Sequence, residues 1–311
     1  MKYSESVLRI IVIRLFILLL LFTCISNLYA QQEAMYSQYM FNQLVINPAY
    51  AGRNDVFAGT LLYRNQWLKM PGAPKTETFS LDGCLKKEKV GLGLIISNDE
   101  IGVSKNLGIY GAYAYKIKLN NAVWSLGLQA GFSFIQSDFS KVQLDDNSSV
   151  RDPAFLTNVK EWMPNFGIGT YYYTDKFYAG ISVPHILSKS LFVNQQSYEQ
   201  YRHIFVTTGY ILDVCPGVKA KPSLMLKVVQ GAPAQLDINT FFWFYELFAI
   251  GVSLRTEDAF SVLLEVRANK QLSFGYAYDY NVSSLNKFNS GSHELMLHYE
   301  IFNKTKTSRH F

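Results

Sequence analysis

Residues Trp124-Ser125-Leu126-Gly127-Leu128-Gln129-Ala130-Gly131-Phe132-Ser133-Phe134 decide the fold. Trp124, Leu126, Leu128, Ala130, Phe132 and Phe134 are all apolar, whereas Ser125, Gly127, Gln129, Gly131 and Ser133 are all small or polar. Side chains alternate across an extended chain, so this is a strand with one greasy and one wet face. The run before it agrees. Leu107, Ile109, Tyr113, Tyr115, Ile117 and Leu119 share one parity, against Asn106, Gly108, Ala112, Lys116 and Lys118. Asn120-Asn121 between the two runs suits a two-residue hairpin turn.

The same period extends in both directions. Phe57, Leu61, Tyr63 and Trp67 alternate with Ala58, Thr60 and Arg64. Phe79 and Leu81 alternate with Thr78, Ser80 and Asp82, and Val90, Leu92, Leu94 and Ile96 with Gly91, Gly93 and Ser97. Less regular runs cover 166–173, 177–183, 204–212, 224–229 and 236–245. Phe248, Ile250, Val252 and Leu254 then oppose Ala249, Gly251, Ser253 and Arg255, and Phe260, Val262, Leu264 and Val266 oppose Ser261, Glu265 and Arg267. Leu272, Phe274, Tyr276, Tyr278 and Tyr280 oppose Ser273, Gly275 and Asp279; Leu295, Leu297, Tyr299 and Ile301 oppose Glu294, Met296, His298 and Glu300. These runs make roughly fourteen strands, an even number within the range of single-chain outer-membrane barrels. Aromatics near the run ends (Tyr113, Tyr115, Trp124, Phe132, Phe134, Tyr276 to Tyr280) suit interfacial girdles. A soluble β-sandwich also alternates, but it mixes charge freely into its solvent face. Here the non-apolar faces are Gly, Ser, Ala and Thr with sparse charge. The expectation is an all-β, transmembrane antiparallel β-barrel of about 14 strands over residues 56–302, with a short N-terminal periplasmic segment or plug over 31–55.

Composition sets the same bounds. Of 311 residues, 49% are hydrophobic, 15% aromatic and only 17% charged, which is charge-poor for a soluble domain. The apolar content excludes disorder. Twenty Gly, 9 Pro and 3 Cys exclude collagen and a disulfide scaffold, and a mean hydropathy of +0.03 is too low for a bundle of membrane helices.

Residues 1–30 read as a cleaved secretory signal: Lys2, Arg9 and Arg14, an apolar run from Leu15 to Cys24, and a cleavage near Ala30 before Gln31-Gln32. The apolar run is shorter than the ~20 residues that span a bilayer. Without Lys2, Glu5, Arg9 and Arg14 the net charge falls from +5 to +3, with no run of five like charges. Lys86-Lys87-Glu88-Lys89 is the densest basic stretch and reads as a solvated turn, so nucleic acid is not a partner. Cys84 and Cys215 remain in the mature chain, without a spacing that implies a bridge.

No residue set points to catalysis, a cofactor or a metal. A barrel lipase wants Ser and His two apart on one strand; the five His residues include no His-x-Ser pair. His298 and Glu300 share a face with Glu294 nearby, which lumen polarity explains better than a metal needing three or four ligands. Asp279 and Glu265 pair only if the strand register allows it. The glycines of Gly91-x-Gly93 and Gly167-x-Gly169 lack the third glycine and helix of a phosphate site. Between Gln136 and Met163 the alternation lapses, and the acidic group Asp145-Asp146 there lacks calcium-loop spacing. The inward charges Arg64, Lys227, Arg255, Glu265 and Arg267 suit a lumen that holds water or a polypeptide.

The mature N-terminus carries the specific signal. Tyr36-Ser37-Gln38-Tyr39-Met40-Phe41-Asn42, then Asn47-Pro48-Ala49-Tyr50-Ala51-Gly52, follow the signal directly. Tyr36, Met40, Gln43 and Leu44 share a helical stripe, which Asn47-Pro48 would stop. This block resembles the PorP/SprF family, outer-membrane proteins associated with the type IX secretion system and gliding machinery of Bacteroidota. Arg64-Asn65-Gln66-Trp67, Pro164 to Gly169, Tyr178 to His185 and Gly291 to Leu297 look like the family's later landmarks. The tail over 303–311, with Lys304, Lys306 and Arg309, departs from it. The resemblance implies location in the cell outer membrane, in contact with lipid. It also implies a non-enzymatic role in exporting or attaching particular surface proteins. Its expected partners are ring and motor components of the apparatus and a cargo protein bound through its C-terminal sorting domain. The competing expectation is a transport barrel, a porin or hydrophobic-solute channel.

Overall fold

The computed structural model describes residues 35–54, 56–85, 89–141, 158–187, 190–193, 196–199 and 201–301. The expected signal over 1–30, the 303–311 tail, Lys86 to Glu88 of the basic turn and the acidic group near Asp145 lie outside them.

One antiparallel sheet closes on itself. Its first half runs β1 (Phe57–Asn65), β2 (Lys75–Leu85), β3 (Val90–Ile101), β4 (Ser104–Lys118), β5 (Val123–Ser137), β6 (Val159–Tyr173) and β7 (Phe177–Val183). A small separate hairpin, β8 (Ser190–Val193) and β9 (Gln196–Glu199), follows. The second half runs β10 (His203–Tyr210), β11 (Leu212–Cys215), β12 (Val218–Val229), β13 (Gln235–Phe244), β14 (Phe248–Arg255), β15 (Ala259–Arg267), β16 (Leu272–Asn281) and β17 (Ser292–Ile301). β10 and β11 are one stave interrupted at Ile211, since both pair with β12. β1 pairs with β17 from Phe57↔Ile301 to Asn65↔His293, and β10 joins β7 to β12. The result is a closed barrel of 14 staves, which leaves almost no sheet edge unpaired.

The parity read from sequence is the parity of the wall. Leu128 is 59% exposed on the outside and Ser125 fully buried inside. Phe57, Leu61 and Tyr63 face out while Ala58, Thr60 and Arg64 face in. An apolar outer surface around a polar interior inverts a soluble fold and suits lipid. On the outer face Lys75, Glu77 and Lys160 stand at strand ends. Trp162 is among the girdle rings, with Phe132 and Phe134 packed on it at 5.1 and 4.8 Å between centroids.

The two ends differ. One carries brief connections, such as 119–122, where Leu119 N–H donates to Ala122 O (2.8 Å) and encloses the two-residue Asn120-Asn121 turn. The other carries the long ones, 66–74, 138–158, 184–202 and 282–291. Short turns mark the periplasmic end of such barrels and long loops the outer end.

The stretch without alternation is shorter than the sequence suggests. β5 continues to Ser137 and β6 begins at Val159. Pro164 lies inside β6, and Lys160-Glu161 at its start mask the period, though Val159 and Met163 face in and Trp162 and Phe166 face out. Cys84 and Cys215 are free thiols.

Candidate functional site

Residues 35–54 lie inside the barrel. The helical stripe does not become an α-helix: turns lead into 3-10 segments Gln43–Val45 and Pro48–Tyr50. Asn47 caps the second, its Oδ1 accepting Ala49 N–H at 2.9 Å while Pro48 opens it, because Asx and Pro residues favour a local turn over helix. The segment descends from the long-loop half at Tyr36, beside Thr78, to the short-turn half at Gly52, beside Asp82. Its side chains meet the wall at three levels.

At the upper level Arg64 organises the site. It lies one residue from the top of β1, beside β17 and, through it, β16. Its Nη2 meets Asp279 Oδ2 at 2.6 Å and its Nη1 meets Glu294 Oε2 at 2.9 Å, all three side chains being buried. Ser37 completes the set: its Oγ accepts from Arg64 Nη1 (2.7 Å) and donates to Asp279 Oδ2 (2.6 Å). The N–H groups of Ser37 and Gln38 donate to the two oxygens of Glu294 at 2.8 and 2.9 Å. One carboxylate thus reads two successive peptide units. Nearby, Arg255 meets both oxygens of Asp237 through Nε at 3.2 Å, reaches Asp258 at 3.3 Å, and donates to Tyr36 O at 3.5 Å. Tyr36 hydroxyl shares a hydrogen bond with Thr78 at 2.6 Å.

At the middle level the contacts are rings. Phe41 stands edge-on to Phe241 (4.9 Å) and Trp243 (6.4 Å). Tyr39 hydroxyl accepts from Asn239 Nδ2. Burial, reinforced by the Asp237 carboxylate, pushes the Tyr39 phenol well above the ordinary tyrosine range, so it stays protonated.

At the lower level backbone meets backbone. Asn47 Nδ2 donates to Thr170 O (3.1 Å), and Ser182 Oγ to Ile46 O (2.5 Å). Gly52 takes φ +63°, donates to Asp82 Oδ2 (2.8 Å) and accepts from Lys116 Nζ. A Cβ on wall residue Gly91 would fall 1.9 Å from Ala51 O, and one on Gly127 2.1 Å from Ala49 N. These inward glycines are where the wall admits a second backbone, which their sequence setting as plain strand glycines does not reveal.

The candidate residues therefore come together in part. Tyr36, Ser37, Gln38, Tyr39, Asn42, Asn47, Pro48, Ala49 and Gly52 are buried in the lumen, with Phe41 and Tyr50 half-buried. Arg64 and Arg255 join them; Lys227 faces in toward the long-loop end. Glu265 is inward, opposite Gly275, and Arg267 lies over the Trp243 ring at 5.5 Å. Asp279 stands opposite Ser261, so it does not pair with Glu265. His298 reaches Glu300 at 3.4 Å, and no group of three or more metal-ligating side chains occurs among the described residues. Asp279 and Glu294 are partners that sequence parity placed on wet faces without showing what they hold, and Asp237 lies in a less regular run where parity did not single it out. The later landmarks converge on the block: Arg64 from the first, Gly169 against Asn47 from the second, Ser182 from the third and Glu294 from the fourth.

The description "Type IX secretion system membrane protein PorP/SprF" belongs to a family model that matches residues 28–299. No curated protein matches the sequence. Among solved structures, the Ralstonia pickettii toluene transporter TbuX is similar at TM-score 0.52 and 10% identity, over 84% of this chain and 93% of that one. The Acinetobacter baumannii outer membrane protein Omp33 aligns at TM-score 0.48 and 7% identity, over 80% and 100%. The likeness to TbuX is one of barrel fold.

Proposed function

The chain belongs to the PorP/SprF family of type IX secretion system membrane proteins, and on that premise we propose that it assists the export or surface attachment of particular cargo proteins by protein–protein binding. It is an outer-membrane β-barrel, and its family ties it to the secretion machinery. In this reading ring and motor components of the apparatus and the C-terminal sorting domain of a cargo are its partners, and gliding depends on the cargo it serves. The observation that carries the reading is the family match over 28–299, whose block at Tyr36–Gly52 occupies the lumen. We read residues 31–55 as a plug and partner contact.

The site supports binding rather than a reaction. Arg64, Arg255, Asp237, Asp279 and Glu294 hold one another and a peptide backbone. A barrel that passes a small or hydrophobic solute is the competing reading, and the seating of residues 35–54 within the lumen counts against it. The test is a clean deletion followed by proteomics of the cell surface and medium. Loss of a defined set of surface proteins, restored by the wild-type chain, is the expected result. An unchanged surface proteome with reduced solute uptake would overturn it.

A further inference from the structure

We propose that the lumenal groove is a receptor for an extended polypeptide, and that residues 35–54 are its resting occupant, displaced by a segment of another chain. The proposal rests on the secretion reading for the source of that second chain, and on the geometry alone for the groove.

Four observations carry it. First, the wall recognises the segment's backbone as well as its side chains. Glu294 holds the successive N–H groups of Ser37 and Gln38, Ser182 and Lys116 donate to the carbonyls of Ile46 and Gly52, and Gly91 and Gly127 clear space for main chain. Such recognition tolerates a change of sequence. Second, the occupant is not woven into the wall. Among the described residues its main-chain-to-main-chain hydrogen bonds are internal, such as Asn47 N–H to Gln43 O at 2.9 Å and Arg53 N–H to Tyr50 O at 2.9 Å. Side chains mediate its hydrogen bonds to the barrel, so it can leave without breaking a strand ladder.

Third, the two arginine clusters of the wall stay paired when it is vacated. Arg64 lies between Asp279 and Glu294, and Arg255 between Asp237 and Asp258, all of them barrel residues. Fourth, several buried polar atoms find no protein hydrogen-bond partner in the docked state: Gln38 Oε1, Asn42 Nδ2 and Gln43 Oε1 on the segment, Asn239 Oδ1 on the wall. Each disfavours the resting occupant relative to one that satisfies them. The favoured partner is a segment with a hydroxyl residue that keeps its N–H, followed within four residues by an aromatic ring for the Phe241–Trp243 shelf.

The probe is a fluorescein-labelled synthetic peptide of residues 35–54, added to detergent-solubilised full-length protein. Saturable binding, displaced by unlabelled peptide and not by a scrambled one, is expected. Ser37→Pro removes the occupant's own N–H together with its hydroxyl bonds to Arg64 and Asp279 and should tighten peptide binding by about tenfold or more, and adding Glu294→Gln should take back about tenfold of that gain, the Glu294 step being worth roughly one hydrogen bond to a charged group. Phe41→Ala serves as a second release variant if Ser37→Pro yields no folded barrel by gel mobility. Absence of binding to a folded release variant, or binding indifferent to Glu294→Gln, overturns the proposal. Peptide binding with an unchanged surface proteome in the deletion strain overturns the secretion reading and leaves the groove. The opposite pair of results overturns exchange alone.

Discussion

The main-chain N–H of Ser37 donates to Glu294 Oε2 at 2.8 Å, joining residues 257 apart in sequence. The same oxygen takes Arg64 Nη1 at 2.9 Å. Glu294 is fully buried, so these donors replace the water its charge has lost. β1 and β17 are the seam where the barrel closes. The contact therefore couples closure of the wall to seating of the segment within it.

Arg64→Met tests that coupling. The substitution keeps the bulk but leaves Asp279 and Glu294 facing each other without a cation. Removing one partner of a buried ion set costs about 3–5 kcal/mol. The barrel should unfold at lower temperature in detergent, read as the shift between compact and extended gel mobility. Unaltered unfolding would mean that the two carboxylates find protons or another partner at no cost.

Gly91→Val separates the segment from the barrel. Its side chain points inward, where Ala51 O already occupies the space. The outer face and the strand pairing are untouched, so the wall should still close. The expected outcome is protease cleavage within residues 35–54 while the remaining chain keeps its compact mobility. Gly111→Ala, on the outer face with only Ala130 O at 3.9 Å, should leave the segment protected.

How far the sequence predicted this follows from what parity encodes. The Trp124–Phe134 run gave the correct inside and outside because period two is local and lipid enforces it on every stave. Glu294 and Asp279 were legible as inward residues for the same reason. Their meeting with Arg64 was not, because it depends on the register between β1, β16 and β17, which a single sequence does not carry. The descent of Tyr36–Gly52 through the lumen was hidden too. Its lower contacts are made to glycines, whose missing side chains look alike whether they relieve a turn or admit a neighbour. At β6, Pro164 and the Lys160-Glu161 pair concealed a strand start that burial makes plain.

Leu128→Arg addresses the lipid face. Leu128 stands near the middle of β5 with its side chain outward. An arginine near the bilayer midplane costs a barrel about 2–4 kcal/mol. Folding into lipid vesicles should weaken by that amount in a denaturant titration, whereas Leu128→Met should change little. Equal behaviour of the two variants would place this band of the wall outside the hydrocarbon.

The segment's tyrosines predict an alkaline release. Burial raises the phenols of Tyr39 and Tyr50 above their ordinary value, which is about 10. Below that pH both the docked and the free segment hold these protons, and the contribution to docking is complete. Above it the free segment ionises first, so docking weakens by up to about 1.4 kcal/mol per pH unit for each phenol until the docked groups titrate as well. Protease sensitivity of residues 35–54 should therefore rise above pH ~10 before the barrel itself unfolds. Tyr39→Phe should make that rise shallower, because one of the two protons is no longer at stake. A rise with the same slope in the variant would show that Tyr39 is already ionised, or already solvated, while docked against Asn239.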